Sequence, residues 1–349
     1  MTLQEIISKI GKGQKGAKHL TVEESEFAMN ALLEGKASPY QIGAFLIALR
    51  VKEESPEELA AFTRSARATL HPDLGNFKTH PDEILDLPFY AGKKSSFHVG
   101  ISSSFIMAGA GLKVVLHGDP NPPGRTSKSM VLNSLGWDSR LPLSDRLDFF
   151  QSMGWSYLDV SQIHPSVKNF LDLRNELGLR TVFHTLARFL NPLRAANQII
   201  GVSHPKSFEK IGETLKMLGI SRGLVIRGLE GESEANLSGP VEGIRIDRES
   251  ISRVQLDPAP LGLSPLKRSG VEIMDVSGEG TRVEKILDGS NQGDPRSLSL
   301  WNAAIGLYLA GKSETLDKGY LSAKESLDSG KGFKILSAIK NQETLIRRK

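Results

Sequence analysis

Three short segments hold the residue types that binding and catalysis need. The first is Pro88-Phe89-Tyr90-Ala91-Gly92-Lys93-Lys94-Ser95-Ser96. It follows a short strand pattern ending at Leu87 and precedes a helical run of small residues, Gly100 to Gly111. A strand-to-helix turn with Gly, Ser and Lys holds an anion through backbone N–H groups and a helix N-terminus. The plainer alternative is an exposed turn. The next strand pattern ends Val114-Val115-Leu116-His117-Gly118-Asp119, at the kind of sheet edge where α/β proteins bind ligands. The loop behind it, Pro120 to Lys128, adds the cations Arg125 and Lys128. His117 is a candidate ligand contact, with a buried structural histidine as the competing role.

The second segment, Leu173 to Arg188, carries Arg174, Arg180 and Arg188. Guanidinium groups grip carboxylates and phosphates bidentately; ordinary helix-surface charge is the alternative. The third is Arg227-Gly228-Leu229-Glu230-Gly231-Glu232-Ser233-Glu234. Glycines and acids after a strand offer carboxylates for Mg²⁺, or are simply solvated. The chain has no Walker or dinucleotide glycine fingerprint, no Gly-x-Ser-x-Gly elbow and no His-Glu-x-x-His.

Composition removes further chemistry. There is no cysteine, which excludes disulfides, thiolate zinc sites, iron–sulfur clusters and Cys nucleophiles. The 349 residues, 39% hydrophobic and 24% charged, fit a globular chain of one large domain or two unequal ones. The net charge of +4 leaves a polyanionic partner open without arguing for one. No apolar run approaches the roughly 18 residues of a membrane span. The opening, MTLQEIISKIGKG, lacks the apolar core of a signal peptide, so a cytoplasmic protein is expected.

The elements that position these segments fall into two groups. Capping boxes at Thr21–Glu24, Ser38–Gln41 and Ser55–Glu58 predict three helices in series after an opening helix, Leu3 to Ile10. Residues 71–83, HPDLGNFKTHPDE, read as a linker. Beyond it, strand patterns at Lys113–Leu116, Ser156–Val160, Gln198–Val202, Gly223–Arg227 and Gly243–Ile246 alternate with helical ones at Ser102–Ala110, Ser207–Leu218 and Leu300–Leu309. The expected fold class is α/β. A small helical N-terminal domain (1–70) joins a large α/β domain (84–349) with a mainly parallel central sheet flanked by helices. The cleft between the domains is the expected ligand site. The basic tail, Arg347 to Lys349, reads as a solvated end.

Taken together, these segments resemble the anthranilate phosphoribosyltransferase family, which shares a structural superfamily with the pyrimidine nucleoside phosphorylases. The resemblance runs the whole length. Gly43 to Arg50 is similar to the family's helical domain, and Leu132–Gly136 to its Leu-x-x-Leu-Gly. Leu173–Phe183 is similar to its Arg-x-x-Leu-Gly-x-Arg-Thr signature, and Asn191-Pro192 to the Asn-Pro that follows. Asn302-Ala303-Ala304 and Ser329-Gly330-Lys331 match near the C-terminus. The resemblance implies dimerisation through the helical domain. It also implies that Arg174 lies near an aromatic acceptor acid.

Where the family's phosphoribosyl pyrophosphate users carry Gly-Thr-Gly-Gly-Asp, this chain has Pro88 to Lys94. Their Asn-x-Ser-Thr corresponds to His98–Ile101, their Lys-His-Gly-Asn to Leu116–Asp119, and their Asp-Glu metal pair to Ser233-Glu234. These departures look like those of a bacterial paralogue group that keeps the fold and binds nucleic acid. Tyr90–Lys94, His184–Ala187, Val202–Pro205, Glu230–Asn236 and the basic opening Gly11–His19 are similar to that group.

Two functions are therefore expected. In the first, Tyr90, Lys93, Lys94, His117, Arg125, Lys128, Arg174, Arg180 and Arg188 bind single-stranded DNA or RNA along the cleft, with Tyr90, Phe89 or Phe97 stacking bases. No cofactor is needed. In the second, a phosphoribosyl transferase or phosphorylase takes phosphoribosyl pyrophosphate or another ribosyl phosphate. Glu234 and Glu232 then hold Mg²⁺, and Arg174 positions the acceptor.

Overall fold

The computed structural model of the chain describes residues 1–248, 250–266 and 271–346. The basic tail of Arg347–Lys349 lies outside the described residues.

The N-terminal helices start where their caps predict. Leu3–Ile10, Val22–Leu33, Pro39–Lys52 and Pro56–Ala68 each follow a complete capping box, on Thr2, Thr21, Ser38 and Ser55. In the box at Thr21, the Glu24 N–H donates to Thr21 Oγ1 at 3.2 Å and the Thr21 N–H donates to Glu24 Oε2 at 2.7 Å. Two orphan helix donors are thereby satisfied.

Among the described residues, seven strands form one sheet in the order β3-β2-β1-β4-β5-β6-β7. They are β1 (Ile84–Phe89), β2 (Lys113–Gly118), β3 (Trp155–Asp159), β4 (Asn197–Val202), β5 (Arg222–Arg227), β6 (Val241–Asp247) and β7 (Ser250–Leu256). The first five run parallel, and β6 and β7 close one edge as an antiparallel pair. The first four are buried along almost their whole length, which is why they read as continuous apolar runs. β7 has no counterpart among the expected strands. Its sequence, SISRVQL, is largely solvent-facing and mixes charge with apolar residues.

The chain winds from β1 to β2 to β3, then returns to place β4 on the other side of β1. The loops following β1 and β4 therefore part at a topological switch point, where α/β sheets leave a crevice. Helices Val99–Gly109 and Asp294–Leu309 pack on one face, within a cluster holding Phe105, Trp155, Leu300 and Trp301.

A second apolar cluster joins Phe45, Leu49, Leu59 and Phe62 of the N-terminal helices to Val160, Val167, Phe170, Phe183 and Leu186. Residues 71–83, expected as a linker, lie along this junction and carry two short helical turns, Pro72–Asn76 and Pro81–Glu83. Each begins at a proline already set for a first helical turn. Leu74 is buried, the His71 N–H donates to Ile163 O at 2.9 Å, and the Ala196 N–H donates to Pro81 O at 2.9 Å. No described helix is long and apolar enough to cross a membrane.

Candidate functional site

The turn after β1 is pinned from two sides. Lys93 exchanges backbone hydrogen bonds with Thr126, 2.8 and 2.9 Å, tying it to the loop after β2. The loop after β5 meets it from the other side with carboxylates. Glu230 Oε1 accepts from the Ser95 and Ser96 N–H groups at 3.1 and 3.0 Å, and from Ser96 Oγ at 2.8 Å. Its Oε2 accepts from the Lys94 N–H at 2.9 Å and from Arg125 at 3.1 Å. Partial burial works to raise the Glu230 pKa, but these donors bring it down to about 2. Glu232 Oε1 accepts from the Ala91 and Gly92 N–H groups at 2.8 and 2.7 Å. Burial pushes the Glu232 carboxyl above its usual range, against the pull of nearby Lys128, Arg188 and Lys93.

Deeper in, Glu234 is fully buried and carries two ammonium groups, Lys93 on Oε2 and Lys128 on Oε1, the latter at 2.7 Å. The Gly100 N–H, in the first turn of helix Val99–Gly109, also donates to Oε1 at 2.7 Å. Burial opposes the charge, yet the two lysines hold the Glu234 carboxyl below its usual pKa. Lys93 Nζ also donates to Phe97 O at 2.7 Å, and Lys128 Nζ stands 3.7 Å from the Phe89 ring centroid.

This arrangement does not fit the Mg²⁺ that the family resemblance implies. Both Glu234 oxygens already face ammonium groups, Glu232 is turned onto amides, and Ser233 donates to Pro88 O at 3.0 Å. Among the described residues, no three His, Cys, Asp or Glu are grouped to hold a metal ion.

Several expected contacts therefore move from ligand to scaffold. Lys93 and Lys128 are 1% and 3% exposed, because each lies in the apolar wall with Glu234 as its counter-charge. Tyr90 is buried with its hydroxyl 2.8 Å from His117 Nδ1, and Phe89 and Phe97 are also buried, so none presents a face for stacking. His117 is sealed in and its Nε2 lies 3.2 Å from Asp86 Oδ2, which also accepts from Gln198 at 2.6 Å. It is a structural histidine. Arg125 is taken up by Glu230 and by Gly92 O, 3.1 Å away. Lys94 alone among the turn's cations is exposed.

The arginines behave differently. Arg174 begins the short helix Arg174–Leu177, Arg180 follows Gly178, and Arg188 lies on the single turn Ala187–Phe189. All three are half-buried. Arg188 donates to Gly201 O at 2.8 Å. Among the described residues, no carboxylate pairs with the Arg174 or Arg180 side chains. Burial first, then Arg188, Arg174 and Arg125, lower the Arg180 pKa to about 10. His184 is pushed down to about 3 by burial and by Arg180, Arg174 and Arg188. Four guanidinium groups thus converge, with Glu232 the nearby acid. Such a surface has the charge to suit an anion.

Glu230, expected only as one of the acids open to Mg²⁺, and Glu279, not singled out by the sequence, instead hold the backbone around this turn. Glu279 accepts from the His98 N–H at 2.8 Å, beside the same helix N-terminus. Both act on residues more than 130 positions away, and no local pattern signals that.

A family model for the glycosyl transferase family α/β domain matches residues 92–333, and one for its helical bundle domain matches residues 4–70. An anthranilate phosphoribosyltransferase of Desulfitobacterium hafniense is 34% identical over 310 residues, 88% of this chain and 90% of that protein. One from Petrotoga mobilis is 32% identical over 333 residues, covering 95% and 94%. The crystal structure of anthranilate phosphoribosyltransferase from Thermus thermophilus superposes with a TM-score of 0.85 at 26% identity, covering 98% of this chain and 99% of that one. The Saccharomyces cerevisiae protein in complex with PRPP and Mg superposes with a TM-score of 0.82 at 20% identity, covering 98% of each. With the helical unit, the switch-point crevice and the arginine-bearing signature all in place, the chain belongs to the anthranilate phosphoribosyltransferase family of glycosyl transferases.

Proposed function

We propose that this protein binds single-stranded nucleic acid, DNA or RNA, without sequence preference, along the cleft lined by Arg174, Arg180 and Arg188. The observation that carries this reading is the set of guanidinium groups left without carboxylate partners, beside a turn whose amides are already taken. A phosphodiester strand offers one charge per nucleotide and needs neither metal nor amide nest, only spaced cations. Lys94 extends the track. With no aromatic face at the cleft among Tyr90, Phe89 and Phe97, affinity rests on electrostatics. In this reading the protein is cytoplasmic and a homodimer. Its contact is the helical domain (residues 1–70), where Tyr40, Ile47 and Val51 are exposed.

Fluorescence anisotropy with a labelled single strand over a salt series tests the proposal. Log affinity should fall against log salt with a slope near −0.7 per phosphate neutralised, so about −2 for three arginines. No binding at low salt, or binding indifferent to salt, would sink it.

A second reading is Mg²⁺-dependent phosphoribosyl transfer. The relatives' names support it more directly than they support nucleic acid, as does the neighbour crystallised with PRPP and Mg. The resemblance implies that Arg174 lies near the acceptor acid. Against it stand the lysines on Glu234. Calorimetry with phosphoribosyl pyrophosphate and Mg²⁺ separates the two; saturable heat favours transfer.

A further inference from the structure

Glu230, Glu232 and Glu234 present three carboxylates to one turn. Between them they accept from six main-chain N–H groups, those of Ala91, Gly92, Lys94, Ser95, Ser96 and Gly100. Successive amides ahead of a helix form a nest for anions. Here the anions belong to the chain itself.

The segment that delivers them is built at a backbone cost. Glu230 sits in the left-handed region, φ 54°, ψ 21°, which costs on the order of 1 kcal/mol for a residue other than glycine. The Glu232 carbonyl passes so close to β4 and β5 that a Cβ on Gly201 or Gly228 would lie 1.6 or 1.7 Å from it. A solvated acidic loop needs neither feature. Glu232 is 2% exposed and Glu234 0%.

We infer that Glu230 and Glu232 are specificity-determining residues. They are built-in anions that fill the turn's nest, so the cleft refuses diphosphates and accepts phosphate groups only at the arginines. This rests on the nucleic-acid reading. A diphosphate entering the turn must displace five hydrogen bonds from Glu230 and two from Glu232, then lie against the carboxylates it displaced. A phosphodiester strand makes no such demand, since it meets guanidinium groups outside the nest.

The test compares full-length wild type with Glu230→Ala/Glu232→Ala by calorimetry, using inorganic pyrophosphate and, separately, orthophosphate. Pyrophosphate should bind the variant at least about tenfold tighter than wild type, the worth of one charge-assisted hydrogen bond regained. Orthophosphate should gain clearly less. Equal gains for both anions would reflect only lost repulsion, and no gain would leave the nest without the role assigned to it. Either overturns the inference. If the alanine variant is not folded by circular dichroism, Glu230→Gln/Glu232→Gln keeps the volume and loses the charges. It must then show the same difference between the two anions, and its failure to do so overturns the inference equally. A parallel single-strand titration keeps the two ideas apart. Wild type that ignores DNA and RNA defeats the functional proposal, whereas intact strand binding without a pyrophosphate gain defeats only this one.

Discussion

Two neighbouring regions of the crevice handle charge in opposite ways. Where the turn after β1 meets the loop after β2, Lys93 and Lys128 face Glu234 and Arg125 faces Glu230, so each of these three cations has a counter-charge. A short distance away, Arg174 and Arg180 meet no carboxylate among the described residues. The turn is more deeply buried, and a buried charge without a partner is too costly to keep. The arginines are half-exposed, so water tolerates their mutual repulsion until an anion replaces it. The difference teaches that a cation's chemistry here follows from its partners more than from its type.

That contrast can be broken at several points. The largest effect belongs to Glu234→Ala, which strands two buried ammonium groups. Stability should fall by about 3–5 kcal/mol, read by chemical denaturation. A folded variant with unchanged stability would mean that the lysines find other partners. Next comes Arg174→Ala with Arg180→Ala. Strand affinity at low salt should drop roughly a hundredfold, because two charge-assisted hydrogen bonds to phosphate disappear, while the denaturation midpoint barely moves.

A smaller effect is pH-linked. His184 and His164 have folded pKa values pushed down to about 3 and about 4, each chiefly by burial. Unfolded, both titrate near 6.5. The unfolded chain therefore binds more protons below that value. The stability these groups contribute is complete above about pH 6.5 and is lost as pH falls towards 4 and 3. Melting temperatures from pH 7.5 to 4.5 should decline, and His164→Gln should flatten part of that slope. The smallest effect is Lys94→Ala, an exposed end of the track. It should cost strand affinity less than about threefold and reduce the salt slope by less than one phosphate's share. A loss as large as that of the arginine pair would show that the turn, and not the arginines, holds the strand.

The fold was legible wherever its signals are local. Ser38-Pro39-Tyr40-Gln41 states a helix start in four residues, and the structure places the start there. The parallel strands were legible because burial on both faces demands apolar runs. β7 was not, since an exposed edge strand makes no such demand. The three arginines could be picked from their spacing alone, and they do converge. The burial of Lys93 could not be foreseen. Lysine is ordinarily solvated, and only a carboxylate 141 positions away, Glu234, makes its burial tolerable. Tyr90 and His117 lie 27 positions apart, and their contact depends on how β1 and β2 pair, through Pro88 opposite His117.

The apolar junction between the N-terminal helices and residues 160–195 has a consequence in time. Phe45, Leu49, Leu59 and Phe62 leave the ribosome well before their partners Phe170, Phe183 and Leu186, which come far later in the chain. At about 5–20 residues per second, roughly 6–25 s separate the two. Through that interval the helices can form on their own caps while their shared face stays wet. These helices are therefore among the later elements to finish folding, although they are made before the residues they pack against.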